Sequence, residues 1–433
     1  NFSTIGQSAV NRTPQQKQQS IIPDFTVDSF NIKNGHVTVG TLPAAGAPLV
    51  YDQVDLSAKN FSFATQFSFT LSAALPGQGA LTMTGKAGPI DMRDAAKTTF
   101  DAQLTLHHLD PIAAGFLDKS AGLSVLADID AHAASDGTSV NSSGTIHAQH
   151  LQLRPDAVPA PKPIDITYNM TYNLADNTGQ LQDATFQTGK LAAHLNGTYS
   201  MKPGGVLTIN NKLAGQSLPI DELQAMLPAV GVKLPNGSVL QGGTLTTNLT
   251  IAGPLNALVI TGPVELDNTR LSGFNLSSQL KGIAGAALGD TGNLTDIKAL
   301  RLQLQVARDG VRATNIYTSL PAIGEATGDG TVSPDGALNF KLSMKLSTSR
   351  GIGGKAVGLL SLVDGSAGKT ASQASAISVP VTVTGTSSHP IITPDVGGML
   401  KNNVNSILGT PKKNSGQQLV NSLSGLFGGK KKN

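Results

Sequence analysis

The chain has 433 residues, enough for two or three ordinary domains or one elongated one, and carries a formal net charge of only +3. Its basic residues are scattered, which argues against the clustered Lys and Arg that broad nucleic-acid binding requires. With no Cys there is no disulfide framework, thiol nucleophile or Cys-based zinc site, and with 4% aromatics and no Trp the bulk that usually fills a compact core is scarce.

Small residues fill the gap. Gly alone numbers 48, charged residues reach only 14%, and Ser, Thr and Asn are plentiful. Small β-formers with frequent turn residues predict many short strands. No run of 18 apolar residues exists, so no transmembrane helix is expected.

The chain begins at Asn1, not Met, and the expectation is that a segment once preceded it. Residues 1–22, with NRTPQQKQQS at 11–20, read as a polar linker. A first β-rich unit is expected over 23–155. Within it Phe61, Phe63, Phe67, Phe69 and Leu71 alternate with Ser62, Ala64, Ser68 and Thr70, the period of a strand with one buried face. In HLDPIAAGFLDKSAGL (108–123), Asp110 can cap a short helix, Pro111 suits its first turn, and Ile112, Phe116 and Leu117 form its apolar side.

A second unit, 156–276, opens on IDITYNMTYNLADNTG (164–179). Ile164, Ile166, Tyr168, Met170 and Tyr172 alternate with polar residues, and Asp176-Asn177-Thr178-Gly179 then turns the chain. In SLPIDELQAMLPAVGV (217–232), Leu218, Leu223, Met226 and Leu227 sit near helical spacing, with Asp221 and Glu222 at the start and Pro228 near the end. This block and 108–123 look like copies of one helix–glycine–strand unit, and such repetition favours a sheet extended by stacking. The third unit, 277–396, contains Leu300, Leu302, Leu304 and Val306, then Phe340, Leu342, Met344 and Leu346, then Val379, Val381 and Val383, each set at period two. Asn34-Gly35, Asp136-Gly137, Asn196-Gly197, Asn236-Gly237, Asp309-Gly310 and Asp335-Gly336 are predicted turns, because Asn-Gly and Asp-Gly supply the positive φ of tight hairpins. Residues 397–433 change character. Leu400, Val404, Ile407 and Leu408 fall at helical spacing, as do Leu419, Leu423 and Leu426, and Lys430-Lys431-Lys432 close the tail. Such a tail suits either an anionic membrane surface or solvent.

No constellation points to catalysis. Gly365-Ser366-Ala367-Gly368-Lys369-Thr370 lacks the first glycine of a phosphate loop, where Val363 stands. His107 and His108 are adjacent, and His147 and His150 are three apart, so in strands neither pair shares a face to clamp a metal. Asp128 and Asp130 share a face, but His132 and Ala133 break the calcium-loop pattern that follows, and a polar outer face is the simpler reading. The Asn-x-Ser/Thr triplets, such as Asn169-Met170-Thr171, read as polar strand faces. No nucleophile elbow is present. A polysaccharide hydrolase would need surface aromatics and paired carboxylates, which zero Trp and five Tyr do not favour. No cofactor and no enzymatic activity are expected.

FTVDSFNIKNGHVTVG (25–40), VYDQVDLSAKNFSF (50–63), QFSFTLSAALPGQGALTMTGKAGPID (66–91), the block LPIDELQAMLPAVGVKLPNGSVLQGGTLTTNLTIAGPLNALVITGPVELDNTRLSGFNL (218–276) and ISVPVTVTGTSSHPIITPD (377–395) carry a resemblance to the C-terminal, periplasmic part of the bacterial AsmA family. They are turn and strand signatures, informative through their order and number. The resemblance implies a Gram-negative envelope protein, periplasmic and inner-membrane anchored through an N-terminal helix expected in the segment before Asn1. Relatives support outer-membrane biogenesis and carry phospholipid along a hydrophobic groove. The fold expected is therefore mainly β: an elongated, curved, mostly antiparallel sheet, or β-groove, with a few short helices. Its candidate lipid-facing residues are Ile164, Ile166, Tyr168, Met170 and Tyr172; Leu300, Leu302, Leu304 and Val306; and Phe340, Leu342, Met344 and Leu346. Those strands either line an open groove or pack as core against another layer. The expected partners are phospholipid acyl chains, a membrane surface through the tail, and envelope proteins. An assembly scaffold for outer-membrane proteins without lipid carriage is the alternative.

Overall fold

A computed structural model describes residues 26–39, 49–115, 123–153, 157–201, 206–230, 232–280, 292–346 and 378–394. The linker 1–22, the glycine-rich segment 365–370 and the tail 397–433 lie outside the described residues. Twenty strands form one open antiparallel sheet that does not close into a barrel. In chain order they are β1 (Thr26–Val39), β2 (Leu49–Ser62), β3 (Phe67–Leu75), β4 (Gly79–Ala87), β5 (Phe100–Leu109), β6 (Ser124–Ser135) and β7 (Ser139–Gln152). Then come β8 (Ile164–Asn173), β9 (Thr178–Thr188), β10 (Leu191–Ser200), β11 (Thr208–Pro219), β12 (Val239–Gln241), β13 (Thr244–Pro254) and β14 (Val259–Ser272). The last are β15 (Leu294–Ala307), β16 (Gly310–Leu320), β17 (Gly324–Val332), β18 (Leu338–Leu346), β19 (Ser378–Gly385) and β20 (Pro390–Pro394).

Almost every strand pairs with the strands before and after it in sequence, so the sheet is one long meander. The one departure is the short β12, which pairs with β14 beside β13, so β11 pairs with β13. The expected fold is thus the observed one. The proposed unit boundaries at 155/156 and 276/277 fall in connections between strands that pair continuously, β7 with β8 and β14 with β15.

Two of the expected hairpin turns lie inside strands. Asn34-Gly35 sits in β1 as a bulge, and Asn196-Gly197 sits mid-β10. The same positive φ that makes a hairpin also makes a bulge, and Asn34 adopts a φ of 51°. Conversely, the run Phe61–Leu71 is two strands, since the chain turns at residues 63–66 between β2 and β3.

Bulges recur. In β1, β5, β11 and β16 a residue in the left-handed region (Asn34, His108, Ser217, Asn315) marks a register shift. Each donates its backbone N–H to a side chain on the next strand: Asp55 at 2.6 Å, Asp128 at 2.8 Å, Thr246 at 3.1 Å and Asp329 at 2.8 Å. All four strands run the same way, so the bulges crease the sheet along a line.

That line marks one edge of the sheet. On this edge lie the longest connections, including 110–123, 153–163, 220–238, 273–293 and 347–377. They carry the helical segments α1 (Ile220–Gln224), the 3-10 turn Leu227–Val230 and α2 (Leu276–Gln279). Asp110 accepts the N–H groups of Ile112 and Ala113 at 2.9 and 3.1 Å, the capping role its sequence position predicts. The structure describes that segment as a turn over 111–115 rather than a helix, with Phe116 and Leu117 outside the described residues. The opposite edge consists of short hairpins, the longest being residues 88–99.

Curvature is visible in one contact. The β19–β20 turn reaches back across the sheet to the link before β12, where Asn236 N–H donates to the Ser388 carbonyl at 3.0 Å and Asn236 Nδ2 meets His389 Nε2 at 2.9 Å. Such a contact requires the sheet between β13 and β20 to wrap strongly.

Candidate functional site

Directly opposed residues in an antiparallel sheet share a face, so register traces a face from strand to strand. Starting from Tyr168, the line runs to Gly144, Ala131, Leu104, Met83, Leu71, Leu56 and Ile32 at the edge strand β1. In the other direction it runs through Ala184, Leu195 and Leu213 to Leu249. Two residues on, Ile251 continues it through Ile260, Val306, Val311 and Val332 to Leu338. Its same-face neighbour Phe340 leads to Val383 and Ile392 on the last strand.

All three sets of sequence-predicted residues therefore lie on one continuous apolar face. At ~4.8 Å per strand step, that face measures roughly 85 Å along its curve. Most charged residues of β3–β19 lie away from it. Lys86, Asp101, Asp128, Asp130, Asp165, Asp183, Lys212, Glu265, Arg301, Arg312, Asp329, Lys341 and Lys345 all fall on the opposite face.

Burial is graded along this face. Ile166, Tyr168, Met170, Tyr172, Leu300, Leu302, Leu304, Val306, Phe340 and Leu342 are half-buried. Ile164 and Met344 are buried, and the side chain of Leu346 lies outside the described residues. All the described strands belong to one sheet, so no second sheet covers them. The fully buried clusters sit on the creased edge, where the helical turns fold over the strand ends. Ala114 packs with Leu75, Leu106 and Leu109; Leu191, Ala193 and Leu218 gather beside Leu223; and Leu280 packs with Leu320, Ile323, Ala326, Met344, Val379 and Val381. Side chains from four strands converge on Leu280, which makes the apolar face the concave one there.

Small residues allow that concavity. Ala58, Ala102, Ala131, Ala184, Ala313 and Ala326 are buried on it. A Cβ at Gly85 or Gly144 would collide with the carbonyl oxygen of Asp101 or Asp130 on the adjacent strand. Sequence reading singled out the large residues of this face; the small ones between them carried no signal of their own.

Three of the five tyrosines mark the middle. Tyr168 OH lies 3.1 Å from Ser142 Oγ, and Tyr172 and Tyr199 stack with centroids 6.1 Å apart. Tyr172 OH donates to Asn177 Oδ1 and Tyr199 OH to the Thr171 carbonyl, each at 3.1 Å. Burial, then the neighbouring Tyr172, pushes the Tyr199 hydroxyl above its usual pKa. These rings are tethered and amphipathic.

The opposite face carries the histidines. His107, His132, His147 and His194 pair with Asp128 (3.7 Å), Asp101 (3.0 Å), Asp165 (2.7 Å) and Asp183 (3.5 Å), and His36 pairs with Asp52. These are exposed cross-strand pairs. Asp128 and Asp130 serve the same surface, Asp128 holding the His108 N–H and Asp130 accepting from Thr105 Oγ1 at 2.9 Å. Among the described residues no group of three His, Asp or Glu could hold a metal ion, and no helix is long and apolar enough to cross a membrane. Comparison with protein-family models, curated proteins and solved structures returned no match.

Proposed function

We propose that this chain is a non-enzymatic, AsmA-type protein of the Gram-negative envelope whose concave face holds or conducts phospholipid acyl chains in support of outer-membrane biogenesis. In this reading it works in the periplasm, anchored to the inner membrane by a helix N-terminal to the strands. The observation that carries it is the predominantly apolar, half-buried face that the register carries from β1 to β20. An exposed apolar strip far above a few hundred Å² normally marks a binding surface. Removing a methylene from water gains ~0.8 kcal/mol, whereas moving it from a bilayer into an apolar trough gains roughly nothing. A face with those properties keeps an acyl chain out of water without trapping it. Lipid headgroups find few charged partners on it, so they would project from its rim.

Native mass spectrometry of gently purified protein should show bound phospholipid, and Leu302→Asp should remove it. A photocrosslinker at Leu304 should yield lipid adducts. Exclusive crosslinking to protein would favour the second reading, an assembly scaffold. What favours that reading is the 14-residue β1, which pairs only with β2 among the described residues.

A further inference from the structure

Two buried side-chain oxygens have no hydrogen-bond partner among the described residues, Asn211 Oδ1 and Gln224 Oε1. Gln224 belongs to α1 on the creased edge. Asn211 lies in the middle of the concave face. By register it stands between Gly197 on β10 and Ile251 on β13, and the same row continues through Leu181 to Met170. Ile209 and Leu213 are its same-face neighbours along β11. Asn211 is only 6% exposed, in surroundings that suit a leucine. Gly197 makes the room. It has no side chain, and a Cβ there would lie 2.5 Å from Asn211 Oδ1. The amide therefore takes the space over the glycine.

The neighbouring polar groups of this face are satisfied within the chain. Tyr168 OH and Ser142 Oγ meet each other, Tyr172 OH donates to Asn177 Oδ1, and Tyr199 OH donates to the Thr171 carbonyl. Asn211 is the exception. A buried acceptor without a donor lowers stability, and an apolar side chain in its place would not. On the floor of a binding face, such an oxygen is accounted for by a ligand that brings the donor.

We infer that Asn211 selects, among acyl chains, one that carries a hydroxyl group, whose O–H donates to Oδ1. The selection deepens the lipid-carrying reading and rests on it. The chemistry follows from the surroundings. Leu181, Leu195, Tyr199, Ile209, Leu213 and Ile251 ring the amide on this face, so the donor must be uncharged and must arrive on hydrocarbon. Its distance from the rim narrows the position of the hydroxyl. Asn211 is three residues from Thr208, where β11 begins at the hairpin edge, roughly 10 Å along the strand. A hydroxyl on the first few carbons behind a headgroup at that rim comes level with it. The χ2 torsion of Asn is soft, so the amide turns toward the incoming O–H without moving β11.

The test sets tetradecanoate against 3-hydroxytetradecanoate as competitors for a fluorescent polyene fatty acid bound to the protein. On the parent chain the hydroxylated acid should compete roughly tenfold better. In Asn211→Leu the two acids should compete equally, with tetradecanoate no weaker than on the parent chain. Asn211→Ala, which adds no bulk beside Gly197, should also abolish the preference. Equal competition on the parent chain overturns the proposal and leaves the lipid-carrying reading standing. A preference that survives in both variants also overturns it, because the hydroxyl would then be held by another group. A parent chain that binds neither the fluorescent acid nor its competitors would sink the lipid-carrying reading, and the selection with it.

Discussion

The two ends of the sheet are finished differently. At the β16–β20 end, Leu280 is only 1% exposed, and the strands beneath it are sealed by Ile323, Met344, Val379 and Val381. The contact from Asn236 to Ser388 and His389 ties that end to the middle of the chain. Its last strand is five residues long and bounded by Pro390 and Pro394, which blunt it against further pairing. At the β1 end, the edge strand is long and proline-free, and Phe30, Ile32 and Val37 stand exposed at 42%, 39% and 44%. One face thus runs from an exposed edge strand to an end packed along its creased edge. If that face carries lipid as proposed, exchange would run through the β1 end or along the hairpin edge, unless the Leu280 contact opens.

The sharpest way to break the comparison is to remove a large side chain from each end. Leu280→Ala leaves a cavity among packed neighbours and should cost about 2–5 kcal/mol, read as a lower denaturant midpoint and faster hydrogen exchange in β16–β19. Ile32→Ala removes atoms already in contact with solvent and should cost under ~1 kcal/mol. Equal losses at the two positions would mean that both ends are equally packed. A smaller effect comes from the tie. Asn236→Ala deletes one side-chain contact and should cost roughly 0.5–1.5 kcal/mol. Exchange should quicken at residues 386–389 and stay unchanged in β1–β3; a uniform response would show that the tie does not hold the curl.

How much of this was legible depended on whether the cause was local. Ile164–Tyr172, Leu300–Val306 and Phe340–Met344 announce their strands, because alternation is a property of one segment. That the three segments share a face is a property of the register between ten strands, which no single segment carries. Asn34-Gly35 and Asn196-Gly197 misled because a positive φ is common to hairpins and bulges. Phe61 and Phe67 misled because the alternation resumes across the intervening turn, where the rings meet at 5.0 Å. Leu280 carried no signal at all. It becomes a stopper only because α2 lands over strands that follow it in sequence.

Acid should separate the two ends more gently. The His108 N–H holds the Asp128 carboxyl below its ordinary range. Ser139 and Thr138 do the same for Asp136, and the N–H groups of Arg93 and Asp94 for Asp91. These three lie in the β1–β7 part of the sheet, whereas in the last strands Asp335, held by Ser333, is the comparable group. A folded pKa depressed below the unfolded value contributes stability above the unfolded value of ~3.9, and that contribution is lost as pH falls through the folded one. Thermal stability should therefore be level from neutrality down to about pH 5 and fall below about pH 4. Exchange should quicken first in β5–β7, where Asp128 ties one strand to the bulge of the next. Asp128→Ala should lower stability at neutral pH and flatten the acid limb. The gap between it and the parent chain should close as both reach low pH. A gap that stays constant down the whole acid limb would mean that the His108 bulge is held by something other than the ionised carboxylate.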